Sequence, residues 1–85
     1  MNATKNESQN FFRNVYFLAV NSGRGITDVE FSAGMCSGYC SIGLHRNSSP
    51  TLRTAKRFAD VLGYTIDELM KDPKDFRKQY GEVHD

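Results

Sequence analysis

The chain has 85 residues, which suffices for one domain with a small hydrophobic core and excludes two domains of ordinary size. Its hydrophobic content of 39% is too high for a disordered chain, and no apolar run approaches the roughly 18 residues of a membrane span. The net charge of +1 divides into +3 on residues 1–63 (seven Lys and Arg, four Asp and Glu) and −2 on residues 64–85 (four and six), which permits nucleic-acid binding without requiring it.

The first half of the chain contains two predicted helices. Ser8 is expected to cap a first helix that runs to about Ser22, because apolar residues recur there at helical spacing. The glycines of the segment 23–25 end it. Thr27 and Glu30 have the spacing of a capping box, which predicts a short second helix over about 28–33 that stops at Gly34. A start one turn earlier, near Gly25, remains open.

A third helix is expected over roughly 37–46, although its local signals are weak. Gly38 and Gly43 each cost about 0.5–1 kcal/mol relative to alanine, and Cys36 is a mediocre cap. Arg46 or Asn47 occupies the helix end, and Asn47 is the better candidate for a left-handed residue. The residues 47–50 that follow have the composition of a loop.

The fourth helix has the strongest local pattern. Thr51 caps it, Gly63 closes it, and apolar residues keep a helical period at Leu52, Ala55, Phe58, Ala59 and Leu62. Thr65 and Glu68 form a second capping box, which predicts a short fifth helix to about residue 70 or 71.

After the fifth helix, Asp72 and Pro73 could start one or two further turns through Phe76 and Tyr80. These two aromatic residues either pack back on the core or form a dimer contact. No segment shows the period-two alternation of a strand. We therefore expect one all-α domain over 1–85: a bundle of about five short helices over about 8–71, then a tail or short extra helix over 72–85.

Two stretches of the chain resemble a known family. Residues 34–42, with Gly34 and Cys40, resemble the turn and recognition helix of the lambda-repressor-like (Cro/repressor, or XRE) helix-turn-helix family. The second stretch is more specific, because its order and spacing match the family's fourth and fifth helices: Pro50-Thr51-Leu52, Ala55, Phe58-Ala59, Leu62-Gly63-Tyr64-Thr65 and Glu68-Leu69. The resemblance covers about residues 9–70 and implies the family's fold.

The resemblance also implies a DNA-binding site centred on the third helix. Cys40 and Leu44 would face the core, and the short polar face would enter the major groove. Thr27 would contact a phosphate at the start of the second helix. The implied DNA-binding residues are Thr27, Ser37, Gly38, Tyr39, Ser41, Ile42, His45, Arg46, Asn47 and Ser48. Tyr39 is interpreted equally well as a DNA contact or as a residue that packs on the loop. His45 is interpreted equally well as a DNA contact or as a solvated residue at the helix end.

The implied function is a sequence-specific transcriptional regulator, a repressor encoded by a bacterium, phage or mobile element. We expect it to bind a near-palindromic operator on double-stranded DNA as a homodimer. The alternative is the same fold used as a protein-interaction module, such as an antitoxin, an antirepressor or a regulator's partner. We expect no cofactor, no metal site and no catalysis, because the carboxylates lie in capping boxes or the tail.

The expected compartment is the cytoplasm, in contact with the nucleoid and not with a membrane. Cys36 and Cys40 are too few for the disulfide framework of a small secreted domain, so reduced thiols are expected. The polar N-terminal residues lack the apolar stretch of a signal peptide. An oxidation-sensing role for Cys36 is a minor alternative, since that thiol should be partly exposed.

Overall fold

A computed structural model describes residues 5–84, with side chains described for residues 6–82. This part of the chain is all-helical and contains no strand, as the sequence predicts. Its six helices in chain order are α1 (Lys5–Asn21), α2 (Ile26–Ser32), α3 (Tyr39–Arg46), α4 (Leu52–Leu62), α5 (Ile66–Leu69) and α6 (Pro73–His84). None of the helices in the described residues is long and apolar enough to cross a membrane.

Helix α1 is the centre of the bundle, because it contacts each of the other five helices. Its apolar stripe is fully covered, and Phe11, Phe12 and Val15 are at most 1% exposed. The rings of Phe11, Phe12 and Phe58 pack edge to face, which is the favoured geometry for aromatic pairs. The hydrophobic core therefore extends from α1 to α4 through these rings.

The start of α1 differs from the prediction. The helix already includes Lys5, so Ser8 lies inside it and is not the N-cap. Ser8 is fully buried, and its hydroxyl is hydrogen-bonded to that of Ser49 at 2.7 Å. This small polar residue therefore links α1 to the loop after α3, a long-range contact that local spacing does not report. The expected polar segment 1–4 lies outside the described residues.

The predicted capping box at the start of α2 is wrong, and the earlier start is right. Gly25 is the N-cap in an extended conformation, and no side chain caps the helix. Glu30 is only 1% exposed, and its carboxylate accepts hydrogen bonds from the backbone at the start of the next helix.

Helix α4 follows its sequence signals closely. The Thr51 hydroxyl accepts from the Thr54 N–H at 3.2 Å, and Gly63 ends the helix at φ +78°. The capping box of α5 is also confirmed: Thr65 and Glu68 exchange hydrogen bonds, and the bond from the Thr65 N–H is the main cause that lowers the pKa of Glu68. Leu52 is the exception, because it is 55% exposed although its spacing placed it with the core.

The tail forms α6, which is three turns long and so longer than the one or two turns expected. Phe76 is 1% exposed and Tyr80 is half-buried, so this aromatic pair packs back on the core. Phe17 contacts both rings, at centroid distances of 6.1 and 5.1 Å. The side chain of Gln79 further ties the helix to α5 by donating to Glu68 at 2.6 Å.

Candidate functional site

The first turn of α3 is held by a carboxylate from α2. Glu30 accepts hydrogen bonds from the backbone N–H of Gly38 at 3.0 Å and of Cys40 at 2.8 Å. These N–H groups belong to the helix start, where the backbone has no partner within the helix. Glu30 thus acts as a remote N-cap, and its negative charge also suits the positive end of the helix dipole. This explains why α3 forms without a good local cap.

The middle of α3 lies directly on α1 through a glycine. A Cβ atom at Gly43 would stand 2.5 Å from Cζ of Phe12, a separation that real Cβ atoms essentially never show. Only glycine therefore allows the helix backbone to approach the Phe12 ring this closely. Gly43, which the sequence marks only as a poor helix former, is buried and is required for the position of α3.

Gly34, by contrast, does not provide a close approach between two helices. It takes φ +79°, the left-handed region that favours glycine. A Cβ there would meet only the movable end of the Arg57 side chain, at 3.1 Å. Gly34 therefore determines the backbone path between α2 and α3, and Gly43 provides the close approach.

Tyr39, the first residue of α3, is an anchor. Its ring stacks on Phe58 at a centroid distance of 5.9 Å and meets Phe12 at 6.0 Å. Burial raises the pKa of Tyr39, and a hydrogen bond with the Thr54 side chain partly offsets that rise. This placement favours the packing role of Tyr39 over the alternative role as a DNA contact.

The opposite face of α3 is open. We define the α3 outer face as Ser37, Ser41, Ile42 and His45, all four of which are exposed, whereas Cys40 on the other side is fully buried. Ile42, the large apolar residue of this face, is 52% exposed. Leu44 is half-buried against the core. The sequence-based division of α3 into an inner and an outer side is confirmed.

One hydroxyl of the α3 outer face is tied to α1. Burial raises the pKa of Tyr16, and the hydrogen bond between its hydroxyl and the Ser41 side chain acts against that rise. Ser41 therefore lies beside α1.

The segment that follows α3 has a fixed shape. Asn47 ends the helix in the left-handed conformation at φ 54°, as predicted. Its side-chain oxygen accepts from the Gln9 amide at 2.9 Å, and the Ser48 N–H donates to the Gly43 carbonyl at 3.0 Å. Arg46, Asn47 and Ser48 are all exposed, so this end of the site offers one cation and several hydrogen-bonding groups to solvent.

The two remaining expected site residues lie at the start of α2 and at the start of α3. Thr27 is exposed on the first turn of α2. Gly38 takes φ +88° at the N-cap of α3, and its N–H is already used by Glu30. The structure therefore brings seven of the ten expected DNA contacts together on the exposed α3 outer face and the segment 46–48. Of the other three, Gly38 and Tyr39 are half-buried and Thr27 lies on α2.

The two thiols have different environments. Cys36 is exposed, and Cys40 is buried in the core. Burial, with the neighbouring Glu30 carboxylate as a second cause, raises the pKa of Cys40 to about 12. The Cys40 thiol is therefore protonated at neutral pH and serves packing. Within residues 5–84 no three His, Cys, Asp or Glu side chains are grouped so that they could hold a metal ion.

The sequence does not predict the roles of three residues that support the site: Glu30, Gly43 and Phe12. Glu30 was assigned to its own helix because its spacing from Thr27 satisfies a local motif. A signal was nevertheless available, since two glycines in a helix that has no cap require an external partner.

Comparisons of the chain with models of protein families, with curated proteins and with solved structures give no match. The geometry of α3 and the resemblance of residues 34–69 are therefore the grounds on which a function is proposed. Both concern the same surface, since the resemblance names α3 as the recognition helix and the α3 outer face is the part of it open to solvent.

Proposed function

We propose that this protein is a sequence-specific DNA-binding transcriptional regulator of the helix-turn-helix type, without catalytic activity, whose α3 enters the major groove. The observation that carries the proposal is the two-sidedness of α3. Its inner side is fixed by Glu30, Phe12 and the stack of Tyr39, and its outer face carries only short or slender side chains open to solvent. A helix that reads DNA needs this combination of rigid support and free surface.

The side chains of the α3 outer face suit the chemistry of base edges. A major groove about 12 Å wide accepts one helix, and Ser37 and Ser41 would let the backbone of α3 approach the bases closely. Serine hydroxyls donate to or accept from any base, His45 offers a donor or an acceptor, and Ile42 offers an apolar surface to a thymine methyl group. A site of this kind reads A·T-containing steps better than guanine, because no arginine lies on the outer face.

Phosphate contacts would come from the ends of the helices. Arg46, Asn47 and Ser48 follow α3, where they would meet the DNA backbone on one side of the groove. Thr27, in the first turn of α2, would meet it on the other side. With few cations available, these contacts would position α3 and leave affinity moderate and sensitive to salt.

The proposed functional form is a homodimer on a near-palindromic operator. Two copies of α3 would then lie about 34 Å apart, which is one turn of DNA. Repression follows from occupancy of a promoter by such a dimer. A cytoplasmic location in contact with the nucleoid belongs to the same proposal.

The test uses DNA selected by the protein from a random double-stranded library, with affinity measured by fluorescence anisotropy at several salt concentrations. We expect selected sites with two-fold symmetry and binding that weakens steeply as salt rises. Ile42→Ala should reduce affinity about tenfold, because it removes apolar carbons from the contact with a thymine methyl group and each buried CH₂ contributes about 0.8 kcal/mol. The matched control is Val20→Ala, an exposed apolar residue at the end of α1.

Two results would contradict the proposal. One is a library that yields no enriched sequence and no salt-sensitive binding. The other is an equal loss of affinity in Ile42→Ala and Val20→Ala, since contact through the α3 outer face requires the two variants to differ.

A second candidate function is a protein-interaction module built on the same fold. The observation in its favour is Phe31, which lies on α2 and is 61% exposed. An exposed large apolar side chain beside a near-neutral surface suits a protein partner better than DNA. This candidate predicts a stoichiometric protein complex that Phe31→Ala weakens, in a protein that selects no DNA sequence.

A further inference from the structure

A mostly apolar pocket lies against α3, between the start of that helix and the segment that follows it. We call it the α3 pocket. Its walls are formed by Phe12, Cys36, Ser37, Tyr39, Ile42, Gly43 and Ser48. We propose that the α3 pocket binds a small planar aromatic molecule that carries one polar group on its ring.

The size of the α3 pocket matches one ring system. Its volume is about 190 Å³. An apolar cavity of about 150 Å³ in a protein interior is enough to hold a benzene-sized ring, and drug-sized ligands need roughly 300 Å³ or more. A single ring or two fused rings is therefore the class that the volume admits.

The walls of the pocket are held rigidly. Gly43 cannot move away from Phe12 without displacing α3, and the Tyr39 ring is fixed between Phe12 and Phe58. A rigid pocket loses little entropy when a ligand enters, which favours binding of even a small molecule. The pocket is thus a built feature of how α3 sits on α1.

The chemistry of the walls favours an aromatic occupant over an aliphatic one. Two of the walls are aromatic rings, Phe12 and Tyr39, and Tyr39 is the more accessible of the two. Aromatic pairs that are stacked with an offset or meet edge to face stabilise each other beyond the area that they bury. Ile42 adds further apolar surface around the same space.

The polar groups of the pocket explain the single polar substituent. Ser37 and Ser48 are exposed and contribute hydroxyls to its wall. A hydroxyl donates and accepts, so a ring O–H or N–H finds a partner there. A few polar groups around an apolar space are the usual composition of a small-molecule site.

Occupancy of the α3 pocket has a consequence that depends on the proposed DNA-binding function. Ser37 and Ile42 belong both to the pocket and to the α3 outer face, so a bound ring and a base pair cannot both contact them. The ligand would therefore lower the affinity for DNA, and DNA would lower the affinity for the ligand by the same factor. The pocket would in this way act as the site of an effector.

The binding test uses indole as the probe and the full chain labelled with ¹⁵N, followed by two-dimensional NMR. We expect saturable shifts of the amides of Ser37, Gly43 and Ser48, with a dissociation constant on the order of 1 mM for so small a ligand. Imidazole, which is planar but polar, should give no saturable shift. Shifts that do not saturate by about 10 mM indole, or that spread over the whole surface, would overturn the proposal.

Three variants locate the site. Ser48→Leu places an apolar side chain at the mouth of the pocket and should remove saturable binding, and Ile42→Ala removes a wall and should weaken binding severalfold. Leu52→Ala is the matched control, because Leu52 is exposed to a similar degree, 55% against 52%, and lies outside the pocket. Unchanged binding in Ser48→Leu, or an equal loss in Leu52→Ala, would show that indole binds elsewhere.

A competition experiment separates the pocket from the proposed DNA function. Saturating indole should weaken binding to the selected DNA in the wild-type chain and leave it unchanged in Cys36→Leu, which fills the same pocket from an exposed residue outside the proposed DNA contacts. If indole occupies the pocket and DNA affinity does not change, the effector role is wrong and the binding site stands. If the chain binds no DNA at all, the proposed function fails, whereas the NMR result still decides the ligand site.

Discussion

Helices α3 and α4 are of similar length and lie close together in the chain, yet they form for different reasons. Helix α4 is determined by residues of its own segment. Thr51 caps it, Gly63 ends it, and an apolar period places Phe58 in the core. Helix α3 has one glycine at its N-cap, a second in its middle and no side-chain cap of its own. It is ordered by Glu30 from α2 and by the Phe12 ring of α1.

This difference indicates how the α3 outer face is kept free. A helix that needs no local cap or outer apolar residue for its stability can vary its exposed side chains at little cost. In α3 the stabilising groups are all behind the helix, so the α3 outer face is available for a partner. Variants of Glu30, Gly43 and Thr51 test whether the stability of α3 depends on contacts with other helices and that of α4 on its own residues.

The largest effect is expected from Glu30→Ala. It leaves the N–H groups of Gly38 and Cys40 without their acceptor, and hydrogen bonds to a charged group contribute about 1.5–3 kcal/mol each. We expect the free energy of unfolding to fall by about 3 kcal/mol, measured by urea denaturation followed by circular dichroism. Loss of DNA affinity should accompany it, because the first turn of α3 loses its support.

The control is Glu68→Ala, which removes another capping carboxylate from a half-buried position on α5, where it also accepts from Gln79. It should lower the stability by about 1 kcal/mol, because water can reach the Thr65 N–H and the Gln79 amide once the carboxylate is gone. Equal losses in the two variants would contradict the view that Glu30 is a buried, remote cap.

Gly43→Ala tests the second support of α3, and here two effects oppose each other. Helix propensity alone predicts that alanine stabilises the helix by about 1 kcal/mol. The Cβ would overlap the Phe12 ring, and overpacking costs about 1–3 kcal/mol or more. We expect packing to win and the free energy of unfolding to fall by about 1–2 kcal/mol, with any gain in stability counting against the contact.

A double variant sharpens this test. Phe12→Leu shortens the side chain that the new Cβ would meet, so Gly43→Ala should cost less in that background than in the wild type. The coupling between the two substitutions, measured by the same denaturation assay, isolates the contact from the change in helix propensity. His45→Ala, on the exposed side of the same helix, should leave the stability nearly unchanged.

The sequence predicted best those elements whose determinants are local. The cap at Thr51, the capping box at Thr65 and the left-handed Asn47 involve residues within four positions of each other, and each is present. The local motif at Thr27 and Glu30 is absent, because two N–H groups elsewhere compete for the same carboxylate in the buried interior. Spacing reports which bonds a side chain can make, and tertiary structure decides between them.

The candidate site divides in the same way. The exposed residues of α3 follow from its helical period once Cys40 is placed inside, and this part was predicted. The packing of Tyr39 between two rings and the α3 pocket were not, since both depend on Phe12, which lies on α1 and is far from α3 in the chain. The sequence thus predicts which residues of α3 are exposed, whereas the contacts behind α3 are visible only in the folded structure.

The smallest effect is expected from Thr51→Ala in the self-sufficient helix. It removes the side chain that accepts from the Thr54 N–H, and loss of an N-cap costs typically about 1 kcal/mol. Thr27→Ala is the matched control, because Thr27 is equally exposed and α2 has no side-chain cap, so its stability should change by no more than a few tenths of a kcal/mol. Urea denaturation of both variants measures the difference. DNA affinity separates the two helices in the opposite direction: Thr51→Ala should leave it unchanged, because α3 is held by Glu30 and Phe12, whereas Thr27→Ala should lower it if α2 contacts a phosphate.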